Sequence, residues 1–253
     1  MFRWAGKVAL VTGASSGIGA SIVKDLAKQG VITVAVARRL DRIQELANEV
    51  KNEPGKVYPV KADLTNEQDI VNTFDWVEKT LKKPVHVLVN NAGVSVLRNT
   101  IDAKMDEWKK MFDTNVYAVG ICIREQLKSM KSHNVNDGHI INICSIVGHR
   151  IVDFPGFYVY TATKHAVKVI TEGVRQELLK EQSQTKVTSI SPGYVATELF
   201  DQASEYSAES QEALNTFSHL QSSDISNAVI YALSLPQNVR IHELTVQATG
   251  EKF

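Results

Sequence analysis

Tyr160 and Lys164 are the two side chains whose types and spacing point most directly to chemistry. Four residues apart, they fall on one face of a helix, separated by about 6 Å along its axis. An ammonium beside a phenol favours the phenolate and predicts a tyrosine pKa drawn down from about 10 towards working pH. Such a group can give a proton to, or take one from, the oxygen of an alcohol or carbonyl compound. Tyr158 stands too early for the same geometry, and Lys168 has Lys164, not a tyrosine, one turn before it. The same spacing also suits a surface pair, so the reading depends on what surrounds it.

A second signal lies near the start. Gly13-Ala14-Ser15-Ser16-Gly17-Ile18-Gly19 follows an apolar run and opens a helical stretch. Glycines allow a tight turn and let backbone amides approach an anion, while a helix N-terminus adds partial positive charge. The Gly-xxx-Gly-x-Gly spacing, with no Gly-Lys-Ser/Thr, excludes a P-loop. After the second candidate strand comes Ala37-Arg38-Arg39. Dinucleotide sites selective for NAD usually carry a carboxylate there for the ribose 2′-hydroxyl, whereas arginine suits a 2′-phosphate. Arg38 and Arg39 therefore predict NADP, through the paired hydrogen bonds a guanidinium makes to phosphate. A solvated charge at a helix start is the plainer alternative.

These residues need a scaffold, and the rest of the chain supplies its pattern. Apolar, β-branched runs at residues 7–12, 31–37, 56–61, 85–90, 139–144, 186–191 and 240–247 alternate with amphipathic stretches at 17–29, 40–52, 66–82, 104–132, 159–182 and 223–234. Continuous apolar strands suit a sheet covered on both faces, and the alternation implies βαβ crossovers. The expectation is an α/β, doubly wound parallel sheet of about seven strands with helices on both faces. No linker, repeat or low-complexity tract divides residues 1–253, so one domain is expected. Only residues 194–222 break the rhythm, and a segment of that length is usually functional.

Composition narrows the class. The 253 residues carry 28 basic and 28 acidic side chains, 43% are hydrophobic and 22% charged, which fits a globular chain and argues against nucleic acid as the main partner. No apolar run approaches the roughly 18 residues of a membrane span, and the first residues lack a signal peptide's pattern. Cys122 and Cys144 cannot build a disulfide framework or a zinc site, so no metal and a reducing, cytoplasmic setting are expected.

Combined, these features resemble the short-chain dehydrogenase/reductases over nearly the whole chain. The marks are TGASSGIG (residues 12–19), Asp63 after the third strand, NNAG (90–93), Asn115 in the fourth helix, Ser145 after the fifth strand, Tyr160-xxx-Lys164, and Pro192-Gly193 after the sixth. RWAGKVALVTGASSGIG, DGHIINICSIVGHR and TEGVRQEL are similar to the branch holding the animal dehydrogenase/reductase member 11 proteins and the insect NADP-dependent farnesol dehydrogenases. The resemblance implies a Rossmann-type fold and a catalytic tetrad. Tyr160 would move the substrate proton while hydride passes to or from the nicotinamide, and Ser145 would bond the same oxygen. Lys164 would lower the tyrosine pKa and bind the nicotinamide ribose, and Asn115 would hold a relay water. Gly13, Ser15, Ser16, Gly17, Ile18 and Gly19 would cradle the cofactor. Asn90, Ala92 and Gly93 would shape the fourth strand's end against it, and Asp63 with Leu64 would meet the adenine. Pro192, Gly193, Val195 and Thr197 would lie along the nicotinamide and pyrophosphate. Asp63 could instead cap the helix near Asn66. Cys144 reads as a structural thiol, and His149 and His165 are assigned no chemistry. The resemblance further implies a homodimer or homotetramer, assembled through the long helices at 104–132 and 159–182.

Charge along the chain bears on the substrate. Residues 1–186 carry a net +6, residues 187–239 hold six acids (Glu198, Asp201, Glu205, Glu209, Glu212 and Asp224) with no Lys or Arg, and residues 240–253 balance. The segment expected over the substrate thus lacks a cation for a substrate carboxylate or phosphate. Tyr194, Val195, Leu199, Phe200, Tyr206, Leu214 and Phe217, with Phe154, Pro155 and Phe157, offer an apolar lining instead. A neutral, largely apolar alcohol or carbonyl compound is expected: a prenol such as farnesol, a retinoid-like or aromatic carbonyl, or a ketosteroid. The alternatives are a ketosteroid or diketone reductase of the same branch and, remotely, a cofactor-sensing protein without catalysis.

Overall fold

The first strand shows why the chain folds as it does. β1 (Val8–Thr12) is buried at every position because helices cover both of its faces. Side chains alternate across a strand. Ala9 and Val11 pack with Ile22, Val23 and Leu26 of α1 (Gly17–Lys28) and Ile225, Val229 and Leu233 of α7 (Ser222–Ser234). Val8 and Leu10 pack on the other side with Ile70, Phe74 and Val77 of α3 (Glu67–Leu81), Val119, Cys122 and Ile123 of α5 (Ala118–Ser132), and Val167 of α6 (Tyr158–Lys180). Burying each such side chain contributes about 1.5–3 kcal/mol, so the strands hold the two helical layers together through their own alternation.

The computed structural model describes residues 2–154, 156–199 and 218–251. Its remaining strands are β2 (Ile32–Ala37), β3 (Lys56–Lys61), β4 (Val85–Asn90), β5 (His139–Ile143), β6 (Lys186–Pro192) and β7 (Glu243–Val246). They form one sheet in the order β3-β2-β1-β4-β5-β6-β7, with every pairing parallel. This is the single-domain, doubly wound Rossmann-type architecture the alternation implied. Pro59 lies in β3, which bonds only β2, so its missing N–H interrupts no inner ladder. α2 (Leu40–Glu49) covers the β2–β3 edge.

One expected element differs. The stretch read as a single helix over 104–132 is α4 (Met105–Phe112), a π-helical turn (Asp113–Tyr117) and then α5. A π-turn inserts an extra residue into the helical ladder, and such turns recur at functional sites. Here the inserted turn carries Asn115. The last strand is also shorter than the 240–247 read from sequence, being confined to Glu243–Val246. Among the described residues, no helix is long and apolar enough to cross a membrane.

Candidate functional site

From β1 the sheet grows in two directions, with β2 on one side and β4 on the other. Such a switch point opens a crevice at the carboxyl ends of the strands. A cleft of about 370 Å³ lies there. Gly13 and Gly17 have φ of +66° and +55°, which a side chain disfavours. A Cβ on Gly13 would lie 2.8 Å from Ala92 Cα, and one on Gly19 would overlap the Gly13 carbonyl oxygen. Thr12 and Asn91 tie the two loops together. Thr12 Oγ1 accepts from the amides of Asn91 and Ala92 at 3.0 and 3.1 Å, and Asn91 Nδ2 donates to the Thr12 carbonyl at 2.9 Å. α1 begins with no side-chain cap at Ser16 and no acid in its first turn. Its first turn thus supplies no carboxylate of its own to the N-terminal amides, and Gly17 and Ile18 line the cleft. A glycine cradle beside an uncapped helix start fits the phosphates of a dinucleotide.

Arg38 and Arg39, adjacent in sequence, differ in their partners. Arg39 donates from Nε and Nη2 to Ser15 Oγ at 3.2 and 2.9 Å and from Nη2 to Ser16 Oγ at 2.9 Å, and pairs with Glu198 at 2.8 Å. Arg38 makes no hydrogen bond or close ion pair among the described residues and lines the cleft with Asp63 and Leu64. Asp63 Oδ1 accepts from the amide and hydroxyl of Thr65 at 3.0 and 2.9 Å; these bonds, with the Arg38 charge, hold its carboxyl below the usual range. The cap of α3 is Asn66, which accepts from the Gln68 amide at 2.9 Å.

The Tyr160 end is more enclosed. Tyr160 and Lys164 are both buried in the first turns of α6. Lys164 Nζ donates to the Ile143 carbonyl at 2.9 Å and stands 5.5 Å from the centre of the Tyr160 ring. Burial pushes the Tyr160 phenol above its ordinary pKa, with the Ser145 hydroxyl working the other way, and pulls the Lys164 amine below its own. The tyrosine shift is opposite in sign to the one expected from the Tyr-Lys spacing. The ammonium is directed at the Ile143 carbonyl, and burial is the largest influence on the phenol. Ser145 follows β5, accepts from the Val147 amide at 3.3 Å and reaches the Pro192 carbonyl at 3.5 Å. Asn115 Oδ1 accepts from the Val94 amide at 2.8 Å, and its Nδ2 donates to the Val94 carbonyl and Thr163 Oγ1 at 2.9 and 3.1 Å. Thr163 in turn donates to the Tyr160 carbonyl at 2.7 Å, so Asn115 connects the loop after β4 to α6.

Most of the residues singled out in the sequence converge on this cleft, including Ala92, Gly93, Pro192, Gly193, Val195 and Thr197. Gly19 and Asn115 stand behind its wall. Asn90 does not line the cleft either: its amide donates to Asn142 Oδ1 at 2.9 Å inside the sheet, and Asn91 lines the cleft instead. Cys144 is a buried free thiol whose Sγ donates to the Lys164 carbonyl at 3.3 Å. His149 accepts from Lys168 at 2.8 Å and bonds Ser191 at 3.0 Å, and His165 bonds the Thr161 carbonyl at 3.0 Å. Among the described residues, no group of His, Cys, Asp or Glu could hold a metal ion.

Apolar groups surround Tyr160. Phe157 stacks on its ring at 4.9 Å between centres, and Phe154, Val94, Trp108 and Leu199 belong to the same cluster. Pro155, Phe200, Tyr206, Leu214, Phe217, Asp201, Glu205, Glu209 and Glu212 lie outside the described residues. Asp224 accepts from the Gln221 amide at the start of α7, at 2.8 Å. Two side chains in or beside the cleft wall carried no sequence signal. Ser95 lines it, buried, with no hydrogen-bond partner among the described residues. Glu251 folds its carboxylate over Gly193 and accepts from the Tyr194 and Ala248 amides at 3.0 and 3.1 Å.

Comparison with known proteins fits this geometry. The short chain dehydrogenase family profile matches residues 7–208. The farnesol dehydrogenase of Aedes aegypti is 48% identical over 257 aligned residues, covering 100% of both chains. Dehydrogenase/reductase SDR family member 11 of Gallus gallus is 43% identical, covering 99% of each. Among solved structures, the closed form of a serine dehydrogenase complexed with NADP+ superposes with a TM-score of 0.85 at 29% identity, covering 97% of this chain and 96% of that one. The chain belongs to the short-chain dehydrogenase/reductase family, whose members are NAD(P)-binding oxidoreductases.

Proposed function

We propose that the protein is an NADP-dependent oxidoreductase that interconverts an apolar alcohol, farnesol or a related prenol, with its aldehyde or ketone. The observation that carries this reading is the meeting of Tyr160, Lys164 and Ser145 with a glycine cradle in one cleft, bordered by aromatic side chains. The similarity to a farnesol dehydrogenase supports the substrate class, and the cleft-lining Arg38 supports a 2′-phosphate on the cofactor.

In the direction of oxidation, Tyr160 acts as its phenolate and takes the hydroxyl proton while the carbinol carbon gives up its hydrogen with the bonding pair. In reduction, the same oxygen returns the proton. NADP, when bound, supplies the acceptor or donor of that hydride. Ser145 donates to the substrate oxygen and steadies its developing negative charge. Lys164, 5.5 Å from the centre of the Tyr160 ring, provides positive charge that favours the phenolate and binds the nicotinamide ribose, and Asn115 fixes the loop against which both work. The glycine loop holds the pyrophosphate. Asp63 and Leu64 border the adenine, and Pro192, Gly193, Val195 and Thr197 border the nicotinamide. Phe154, Phe157 and Leu199 exclude water from the reacting carbon. The same reading includes a homo-oligomer, for which Tyr117 on the π-turn and Val169 and Leu179 on α6 are exposed apolar contacts.

Initial rates followed at the NADPH absorbance band, with farnesol, farnesal and a panel of ketosteroids and each cofactor, test the proposal. Turnover of the prenol pair with NADP, and far less with NAD, is expected. Absence of turnover across the panel with both cofactors overturns the enzymatic reading.

A further inference from the structure

The basic and acidic portions of the chain meet at the mouth of the cleft. Glu198, on the turn after β6, accepts from Arg39 Nη1 at 2.8 Å and from Arg42 in the first turn of α2. Arg39 Nε and Nη2 are held by Ser15 and Ser16, so each nitrogen of its fork makes at least one bond to a protein oxygen. The two arginines keep the Glu198 carboxyl at a pKa of about 2, so it is charged at any working pH. The groups are partly exposed, 42% for each arginine and 40% for the glutamate. Ion pairs in such a setting contribute little to stability and exchange partners readily. Arg38 beside them makes no hydrogen bond or close ion pair among the described residues, and its charge acts on Asp63 at longer range.

We infer that Glu198 is an internal anion that competes with the 2′-phosphate of the cofactor for Arg39 and Arg42, and so sets how strongly the protein prefers NADP to NAD. This rests on the dinucleotide reading above. A 2′-phosphate carries up to two negative charges. To share the arginines it must either displace the carboxylate or sit beside it against like-charge repulsion. Arg38 remains as the partner that needs no displacement. Glu198 is thus a specificity residue that acts through the two guanidiniums it holds, those of Arg39 and Arg42.

The test uses calorimetric titration of the full chain with adenosine 2′,5′-bisphosphate and with AMP, which differ only in the 2′-phosphate. Glu198→Gln keeps the shape and removes the charge, and thermal unfolding verifies that the variant folds like the parent. Its affinity for the bisphosphate is expected to rise by about tenfold, as for one unit charge at close range in a partly screened site, with AMP unchanged. Adding Arg42→Met should take back most of that gain. An affinity for the bisphosphate that is unchanged or weaker, or a gain shared equally by AMP, overturns the competition and leaves the cofactor reading standing. A parent protein that binds neither nucleotide overturns the dinucleotide reading itself.

Discussion

Lys164 holds its amine where water does not reach, and its carbonyl partner Ile143 carries no charge to balance it. Burial therefore lowers its pKa from 10.5 in the folded state. Between the folded and unfolded values the unfolded chain binds more protons, so stability rises with pH through that window and is lower at neutral pH than it would be without the charge. Lys164→Met is accordingly expected to raise the urea midpoint by an amount equivalent to about 1–3 kcal/mol while abolishing turnover. A lowered midpoint would show that the bond to Ile143 outweighs the buried charge. Tyr160 and Lys164 were legible in sequence because helical spacing is a backbone property. The sign of the tyrosine shift was not, because it depends on how deeply Phe157 and its neighbours enclose the phenol.

At the scale of elements, the π-turn at Asp113–Tyr117 is the device that ties the β4 loop to α6, the helix of Tyr160 and Lys164. Asn115 makes three hydrogen bonds from that turn, two to Val94 and one to Thr163, and both of its polar atoms are used. Asn115→Ala strands the Val94 amide and carbonyl, and a loss of about 2–3 kcal/mol in unfolding free energy is expected by denaturant titration. Asn115→Asp should restore the bond from the Val94 amide and recover part of that stability. If the alanine variant is as stable as the parent, the turn does not anchor the loop. Parallel pairing and helices on both faces followed from the alternation of apolar runs with amphipathic stretches. The π-turn did not: its trace is a single five-residue step from buried Met111 to buried Val116, while Val116, Val119 and Cys122 beyond it keep helical spacing. Ser95 and Glu251 were equally silent, since loop geometry that no local pattern encodes brings one to the cleft and the other against Gly193.

Across the whole molecule the sheet is tied by buried polar groups as well as apolar ones, and two of them make it acid-sensitive. His86 Nδ1 accepts from the Val8 amide at 3.3 Å between β4 and β1, and His139 bonds Thr188 at 2.9 Å between β5 and β6. Burial lowers their pKa values from 6.5 to about 4 and about 3. Below pH 6.5 the unfolded chain therefore binds protons that the folded chain does not, and stability falls as the pH drops towards 4. Denaturant midpoints measured across that range are expected to decline steeply, and His139→Gln should flatten the curve. A flat profile in the parent would remove both histidines from the account. The charge asymmetry also belongs at this scale. A net of zero along the chain conceals a basic portion and an acidic one, and Arg39, Glu198 and Arg42 join them across the cleft. The central claim is that this cleft oxidises an apolar alcohol through Tyr160, and turnover by Tyr160→Phe tests it most directly. Steady-state farnesol oxidation with NADP should fall by about a thousandfold or more, as for loss of a proton-transfer group, while calorimetric NADP binding and thermal unfolding stay at parent values. Turnover within a few-fold of the parent in that well-folded, cofactor-binding variant would contradict it.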